Sequence, residues 1–259
     1  MTKLFAMMAI LAVAATTAGA ALRSQAVEYK QGDTVLEGYV AWDDSVQGKR
    51  PGVLVVHDWM GAGPFGNGKC DQLAKLGYVA FAADIYGKGV RPANAQEAGL
   101  EAGKYKKDRA LLRARATAAL QALRANPLVD PKRVAAIGFC FGGTTVVELA
   151  RSGVDLAGIV SFHGGLDSPV PADGKNIKAR VLALHGADDP FVPAADLAAF
   201  EDEMRKSGVD WQLVKYGGAV HSFTNPAAGS DNSKGAAYNE RADRRSWAAM
   251  QAFFAEIFR

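Results

Sequence analysis

The chain has 259 residues, 49% of them apolar, with 30 basic and 27 acidic side chains and a net charge of +3. That apolar share supports a buried core and argues against a disordered chain, and this length suits one large α/β domain or two small ones. The charges are intermixed, with no basic run interleaved with aromatics, which excludes a nucleic-acid footprint.

The chain opens MTKLFAMMAILAVAATTAGAALRS, where Lys3 precedes an apolar run from Leu4 to Ala15 and Ala18-Gly19-Ala20 follows. This is the pattern of a secretory signal peptide over residues 1–20, too short to anchor in a bilayer. Residues 21–259 are then expected to be a single exported domain, periplasmic or secreted, with no stable membrane insertion. Export raises the question of a disulfide between Cys70 and Cys140. Their separation does not specify pairing, and two free thiols are expected.

Val27–Lys30 and Thr34–Trp42 flank Gln31-Gly32-Asp33 and read as an N-terminal β-hairpin. PGVLVVHDWMGAG is a continuous apolar strand running into a glycine-rich loop. Asp71–Leu76 reads as helix and Tyr78–Ala83 as a buried strand ending at Asp84. A long helical region covers Gln96–Ala125 and stops at Asn126-Pro127, because proline restricts its predecessor. Within it, KYKKDRALLRARA (Lys104–Ala116) reads as a solvated basic face. Strand and helix then alternate: strands at Val134–Ile137, Ala157–Ser161, Arg180–His185 and Trp211–Tyr216, helices at Phe141–Arg151 and near Pro193–Ser207. The last helix carries Met250, Phe253, Phe254, Ile257 and Phe258, a core-facing stripe. This alternation predicts an α/β fold with a mainly parallel sheet and helices on both faces.

GFCFGG, Gly138–Gly143, sits where an apolar strand turns into a helix. Small residues there can serve close packing alone. The pattern also matches a G-x-S-x-G nucleophile elbow with Cys140 in place of serine, which requires a base and an acid downstream. Of the four histidines, His57, His163 and His185 stand at strand ends and read as packing or supporting residues. No H-x-x-x-H or HExxH pattern is present, so neither a metal nor another cofactor is implied. His221 follows the last strand in YGGAVHSF. Between it and Cys140, VLALHGADDPFVP ends a strand at Asp188-Asp189. Either aspartate can orient an imidazole while the other caps the next helix. Nucleophile, acid and histidine in this order are the order of an α/β-hydrolase triad.

Together GFCFGG, DPFVP, HSF and the HDWMG loop resemble the dienelactone hydrolase (carboxymethylenebutenolidase-like) family, from about Tyr39 to the C-terminus. The resemblance implies the α/β-hydrolase fold. It also implies hydrolysis of a small ester or lactone through a thioester, without metal or organic cofactor. Cys140 would be the nucleophile and His221 the base, with Asp189, not Asp188, as the acid. The backbone N–H groups of Phe141 and Trp59 would form the oxyanion hole. The helix from Phe141 points its positive end at the sulfur, which suits a thiolate. Asp58 stands where the family has a glutamate that contacts the resting thiol; it is either such a gate or a carboxylate bound to loop amides. Family members acting on dienelactone hold its carboxylate with arginines, one shortly after HSF. Here Thr224, Asn225 and Pro226 follow, and only lysines with Tyr105 stand around Lys104–Lys106. Asn225 and Tyr105 are therefore candidate substrate contacts. The alternatives are a broad esterase or thioesterase, or a non-catalytic binding protein on the same fold. Oligomeric state is left open.

Overall fold

A computed structural model describes residues 21–259; the expected signal peptide, residues 1–20, lies outside the described residues. The strands are β1 (Leu22–Gln31), β2 (Thr34–Asp43), β3 (Arg50–Val56), β4 (Val79–Ala83), β5 (Val129–Phe139), β6 (Gly158–Phe162), β7 (Arg180–Gly186) and β8 (Trp211–Tyr216). The helices are α1 (Pro64–Lys75), α2 (Ala95–Lys107), α3 (Arg109–Ala125), α4 (Phe141–Arg151), α5 (Ala194–Lys206) and α6 (Glu240–Ile257). One sheet holds the strands in the order β1-β2-β4-β3-β5-β6-β7-β8. The β1–β2 and β2–β4 pairs are antiparallel and the rest are parallel.

The central strands are apolar throughout because both of their faces are covered. Val53 and Val55 of β3 enter a cluster with Leu73 of α1 and Met250, Phe253 and Phe254 of α6. Leu54 and Val56 point the other way, to a cluster with Leu112 of α3, Val146 of α4 and Phe200 of α5. The expected stripe of the last helix is thus core, with Ile257 and Phe258 partly buried beside it. Cys70 lies in the α1–α6 cluster and Cys140 packs against the opposite one; both are free thiols. Among the described residues no helix is long and apolar enough to cross a membrane.

Several boundaries differ from the expectations, each for a physical reason. The hairpin begins at Leu22, before the alternation that starts at Val27, because β1 is mostly exposed and forms through its ladder with β2. Helix α1 starts at Pro64 and not at Asp71: proline suits the first helical turn, whereas Gly66 and Gly68 weaken the helical signal. The long helical region is two helices. Asp108 ends α2, and its side chain accepts the Leu111 N–H at 2.9 Å to cap α3.

The basic face is only partly solvated. Lys104, Lys106 and Lys107 are exposed, but Arg109 pairs with Asp167 at 2.6 Å, and Arg113 reaches Glu148 at 2.8 Å and Asp173 at 2.7 Å. Glu148 and Arg151 are fully buried on α4, bonded to each other at 2.8 Å, and Arg151 continues to Glu203 of α5 at 2.9 Å. Removing one partner of such a network leaves an uncompensated buried charge, a loss of about 3–5 kcal/mol. The network therefore fixes α4, and with it the turn that starts α4.

Candidate active site

Cys140, Asp189 and His221 stand on turns and loops beyond the carboxyl ends of the parallel strands, where open α/β sheets form their sites. Cys140 occupies the single-residue step between β5 and α4, with φ 54° and ψ −113°, a conformation non-glycine residues rarely adopt. The turn is sharp enough to require its glycines. A Cβ on Gly138 would lie 2.0 Å from the Gly142 carbonyl oxygen, and one on Gly142 would lie 2.2 Å from that of Val56.

His221 comes from the loop after β8. Its N–H donates to Gly235 O at 3.1 Å, and its carbonyl accepts from Ala237 at 3.0 Å, forming an isolated parallel bridge. Nδ1 lies 2.8 Å from Oδ2 of Asp189, a buried carboxylate whose Oδ1 accepts the Phe191 N–H at 2.9 Å. Asp188 is exposed and instead accepts the Gly218 N–H at 3.0 Å, tying down the loop after β8. Burial opposes a charge on His221. Against it act the charge of Cys140, the hydrogen bonds to Asp189 and Cys140, and the charge of Asp189, and the imidazole is pushed up to about 10. Imidazole and carboxylate thus form a hydrogen-bonded chain that can stabilise an imidazolium, on the loops beside the Cys140 turn.

The loop after β3 faces this chain. Asp58 accepts the Met60 N–H at 2.9 Å, so its carboxylate is bound to a loop amide, and among the described residues it makes no hydrogen bond to Cys140. Burial raises its carboxyl above the usual range, while the Met60 N–H and the charge of His221 draw it down. Among the described residues the Trp59 and Phe141 N–H groups donate to no protein acceptor, which leaves them available to an incoming oxygen. Trp59, Met60 and Phe191 are exposed apolar side chains on these loops, and Phe191 stands edge-on to His221 with ring centroids 5.5 Å apart.

Two expected substrate contacts are corrected. Tyr105 is buried; its hydroxyl donates to Tyr86 O at 3.0 Å and its ring stacks on Tyr86, so it supports the loop after β4. Asn225 turns its side-chain oxygen back to the Ala227 N–H at 3.0 Å, capping a short 3-10 turn. Tyr105 thus spends its hydroxyl on the scaffold, and Asn225 spends its amide oxygen on the turn.

The other histidines are built into the scaffold. His163 has φ 41°; its Nδ1 accepts the Cys140 N–H at 3.1 Å, and its Nε2–H donates to Thr224 Oγ1 at 2.8 Å. Burial and the neighbouring charge of His221 hold it well below its ordinary value, hence neutral. Thr224 is thus a partner of the elbow, beyond being the place of a missing arginine. His185 is buried beside Asp189, and burial lowers it too. Tyr86, which the sequence reading did not single out, donates its hydroxyl to Trp59 O at 3.0 Å. Its place just after β4 was the available signal. Among the described residues no group of three or more His, Cys, Asp or Glu stands together in a way that could hold a metal ion.

With this geometry in view, the dienelactone hydrolase family model matches residues 36–258. The solved structure named m3DLH is similar at 43% identity, with a TM-score of 0.89 over 92% of this chain and 99% of that one. A dienelactone hydrolase-like promiscuous phosphotriesterase from metagenomic libraries is 44% identical, with a TM-score of 0.88 over 93% of this chain and 100% of that one. Protein usf of Aquifex pyrophilus is 30% identical over 236 residues, 90% of this chain and 98% of its own length.

Proposed function

The chain belongs to the dienelactone hydrolase family and is a carboxylic ester hydrolase, and on that premise we propose that it cleaves small activated esters or lactones through Cys140, His221 and Asp189. The sulfur attacks the carbonyl carbon, and the carbonyl electrons move onto oxygen, held by the Trp59 and Phe141 N–H groups. Collapse expels the alkoxide or enolate, which takes a proton from the His221 imidazolium and leaves a thioester. Water, deprotonated by His221, then attacks the thioester and releases the acid and the thiol. The 2.8 Å contact of His221 Nδ1 with Asp189 Oδ2, on the same side of the sheet as the Cys140 turn, is the observation that carries this reading.

The substrate class rests on the missing arginines and on cations that are already paired. Thr224 is buried and bonded to His163, while Lys104 pairs with Glu101 and Arg109 with Asp167. A charge-assisted hydrogen bond contributes about 1.5–3 kcal/mol. Without two such contacts, kcat/KM for a carboxylate-bearing substrate falls by about 10²- to 10⁴-fold relative to an enzyme that has them. Short neutral esters and lactones are therefore expected to be hydrolysed with little gain from a carboxylate beside the reacting carbonyl. Matched aryl esters and lactones with and without that carboxylate provide the test. A preference of about a hundredfold for the acid form, equivalent to nearly 3 kcal/mol, would reveal a cationic clamp and overturn this substrate reading.

Neutral aryl phosphotriesters belong in the same panel. The likeness to a promiscuous phosphotriesterase favours this second reading, since the thiolate can attack phosphorus and expel an aryloxide into the same proton-transfer chain. The pattern of residues 1–20 also supports export. N-terminal sequencing of protein from the cell envelope or medium is expected to begin near Ala21; a mature chain beginning at Met1 would overturn export by this route.

A further inference from the structure

His57 lies under the loop that carries Trp59 and is 2% exposed, out of reach of substrate. Its Nε2 accepts the Ile85 N–H at 3.2 Å, so that nitrogen carries no proton. The neutral ring must then be protonated on Nδ1, which donates to the Asp58 carbonyl at 2.6 Å. Burial pushes His57 down to about 4, which keeps it neutral and its tautomer fixed near pH 7.

The Asp58 carbonyl and the Trp59 N–H belong to one planar trans peptide, so they point in opposite directions. A bond that draws the carbonyl towards His57 therefore aims the Trp59 N–H away from it. The next peptide is held as well, because the Tyr86 hydroxyl donates to Trp59 O. The same imidazole stacks on the Phe141 ring, with centroids 5.7 Å apart and planes at 18°, and meets Tyr86 edge-on at 4.8 Å. One buried side chain thus touches the supports of both free N–H groups.

We propose that His57 is a positioning residue for the oxyanion hole: its Nδ1–H sets the Asp58–Trp59 peptide so that the Trp59 N–H meets the oxygen of the tetrahedral intermediate. This rests on the Cys140 chemistry proposed above. Leucine in its place would leave the Ile85 N–H without a partner and the Asp58 carbonyl held only by the Gly61 N–H at 3.2 Å, so the peptide loses the shorter of its two ties. Glutamine can offer an oxygen to the Ile85 N–H and an N–H to the Asp58 carbonyl.

The test separates the oxyanion hole from the nucleophile. Alkylation of Cys140 by iodoacetamide displaces iodide from a saturated carbon, so it senses the sulfur and His221 but forms no oxyanion. For His57→Leu, kcat on an aryl ester is expected to fall by about 10²- to 10³-fold, the usual effect of losing one oxyanion donor. KM and the alkylation rate should stay within a few-fold of the parent, and His57→Gln should recover most of the loss. Equal losses of alkylation and turnover, full turnover in His57→Leu, or a glutamine variant no better than leucine would each overturn the proposal. If His57→Leu does not fold, His57→Asn replaces it: the shorter side chain cannot span both partners and should show the same split. Cys140→Ala is run in parallel. Turnover surviving in Cys140→Ala defeats the nucleophile reading itself, whereas an inactive Cys140→Ala beside a fully active His57→Leu defeats only the role of His57.

Discussion

Cys140→Ala is expected to abolish ester turnover and covalent acylation together. Removing the nucleophile from a serine triad costs about 10⁶-fold in kcat, and what survives comes from binding and the oxyanion hole alone. The same should hold here, because no other thiol can take over. Cys70 is fully buried on the opposite side of the sheet, and burial raises its thiol well above the ordinary range. Intact-protein mass spectrometry during turnover of a slow aryl ester should show one acyl group per chain in the parent and none in the variant. The alanine side chain should settle into the elbow without disturbing it, since it removes only the sulfur and leaves Gly138 and Gly142 in their tight contacts. An unchanged melting curve beside lost activity would then assign the loss to chemistry. Wild-type turnover in Cys140→Ala, or an acyl adduct that persists in it, would overturn the nucleophile assignment and leave the binding-protein alternative or another nucleophile.

What could be read from the sequence divides along a physical line. Elements whose identity is fixed by burial were legible: β4 at Val79–Ala83 and α4 at Phe141–Arg151 are buried throughout and fall where the apolar pattern and the glycine turn put them. Boundaries fixed by pairing or capping were not. β1 is mostly polar and exposed, and the break at Asp108 depends on one side chain bonding to one N–H. The same division runs through the site. Cys140, the Asp188-Asp189 pair and His221 each follow a strand inside a short local motif, so sequence order brought them together, while the choice of Asp189 came from the family resemblance. Tyr105 and Asn225 were placed by analogy with missing arginines, and only three-dimensional contacts reveal that the Tyr105 hydroxyl and the Asn225 side-chain oxygen are already engaged. The Glu148–Arg151–Glu203 chain and the grip of His57 on Asp58 join residues through space or through a tautomer, neither of which periodicity encodes.

The neighbouring aspartates give the sharpest internal control, because adjacent residues of the same type should respond very differently. Asp189→Asn is expected to lower kcat by up to about 10⁴-fold, as loss of the orienting carboxylate does in serine triads, where the imidazole takes the wrong tautomer. Asp189 Oδ2 lies 2.8 Å from His221 Nδ1, and its hydrogen bond and charge both help raise the imidazole to about 10 despite burial. An asparagine there retains the shape but supplies no charge, and its amide can present an N–H to Nδ1 and so hold the proton on the wrong nitrogen. With less stabilisation of the imidazolium, the His221 titration should move down as well, visible by NMR of the resting enzyme. Asp188→Asn should be far milder. That carboxylate is exposed and serves the Gly218 N–H at 3.0 Å, a contact the asparagine oxygen can keep. The comparison is kcat on one aryl ester for both variants, with melting curves to exclude unfolding. If Asp188→Asn is the more damaging change in folded protein, or if Asp189→Asn leaves both kcat and the His221 titration unmoved, the carboxylate contacting Nδ1 is not the group that orients the base.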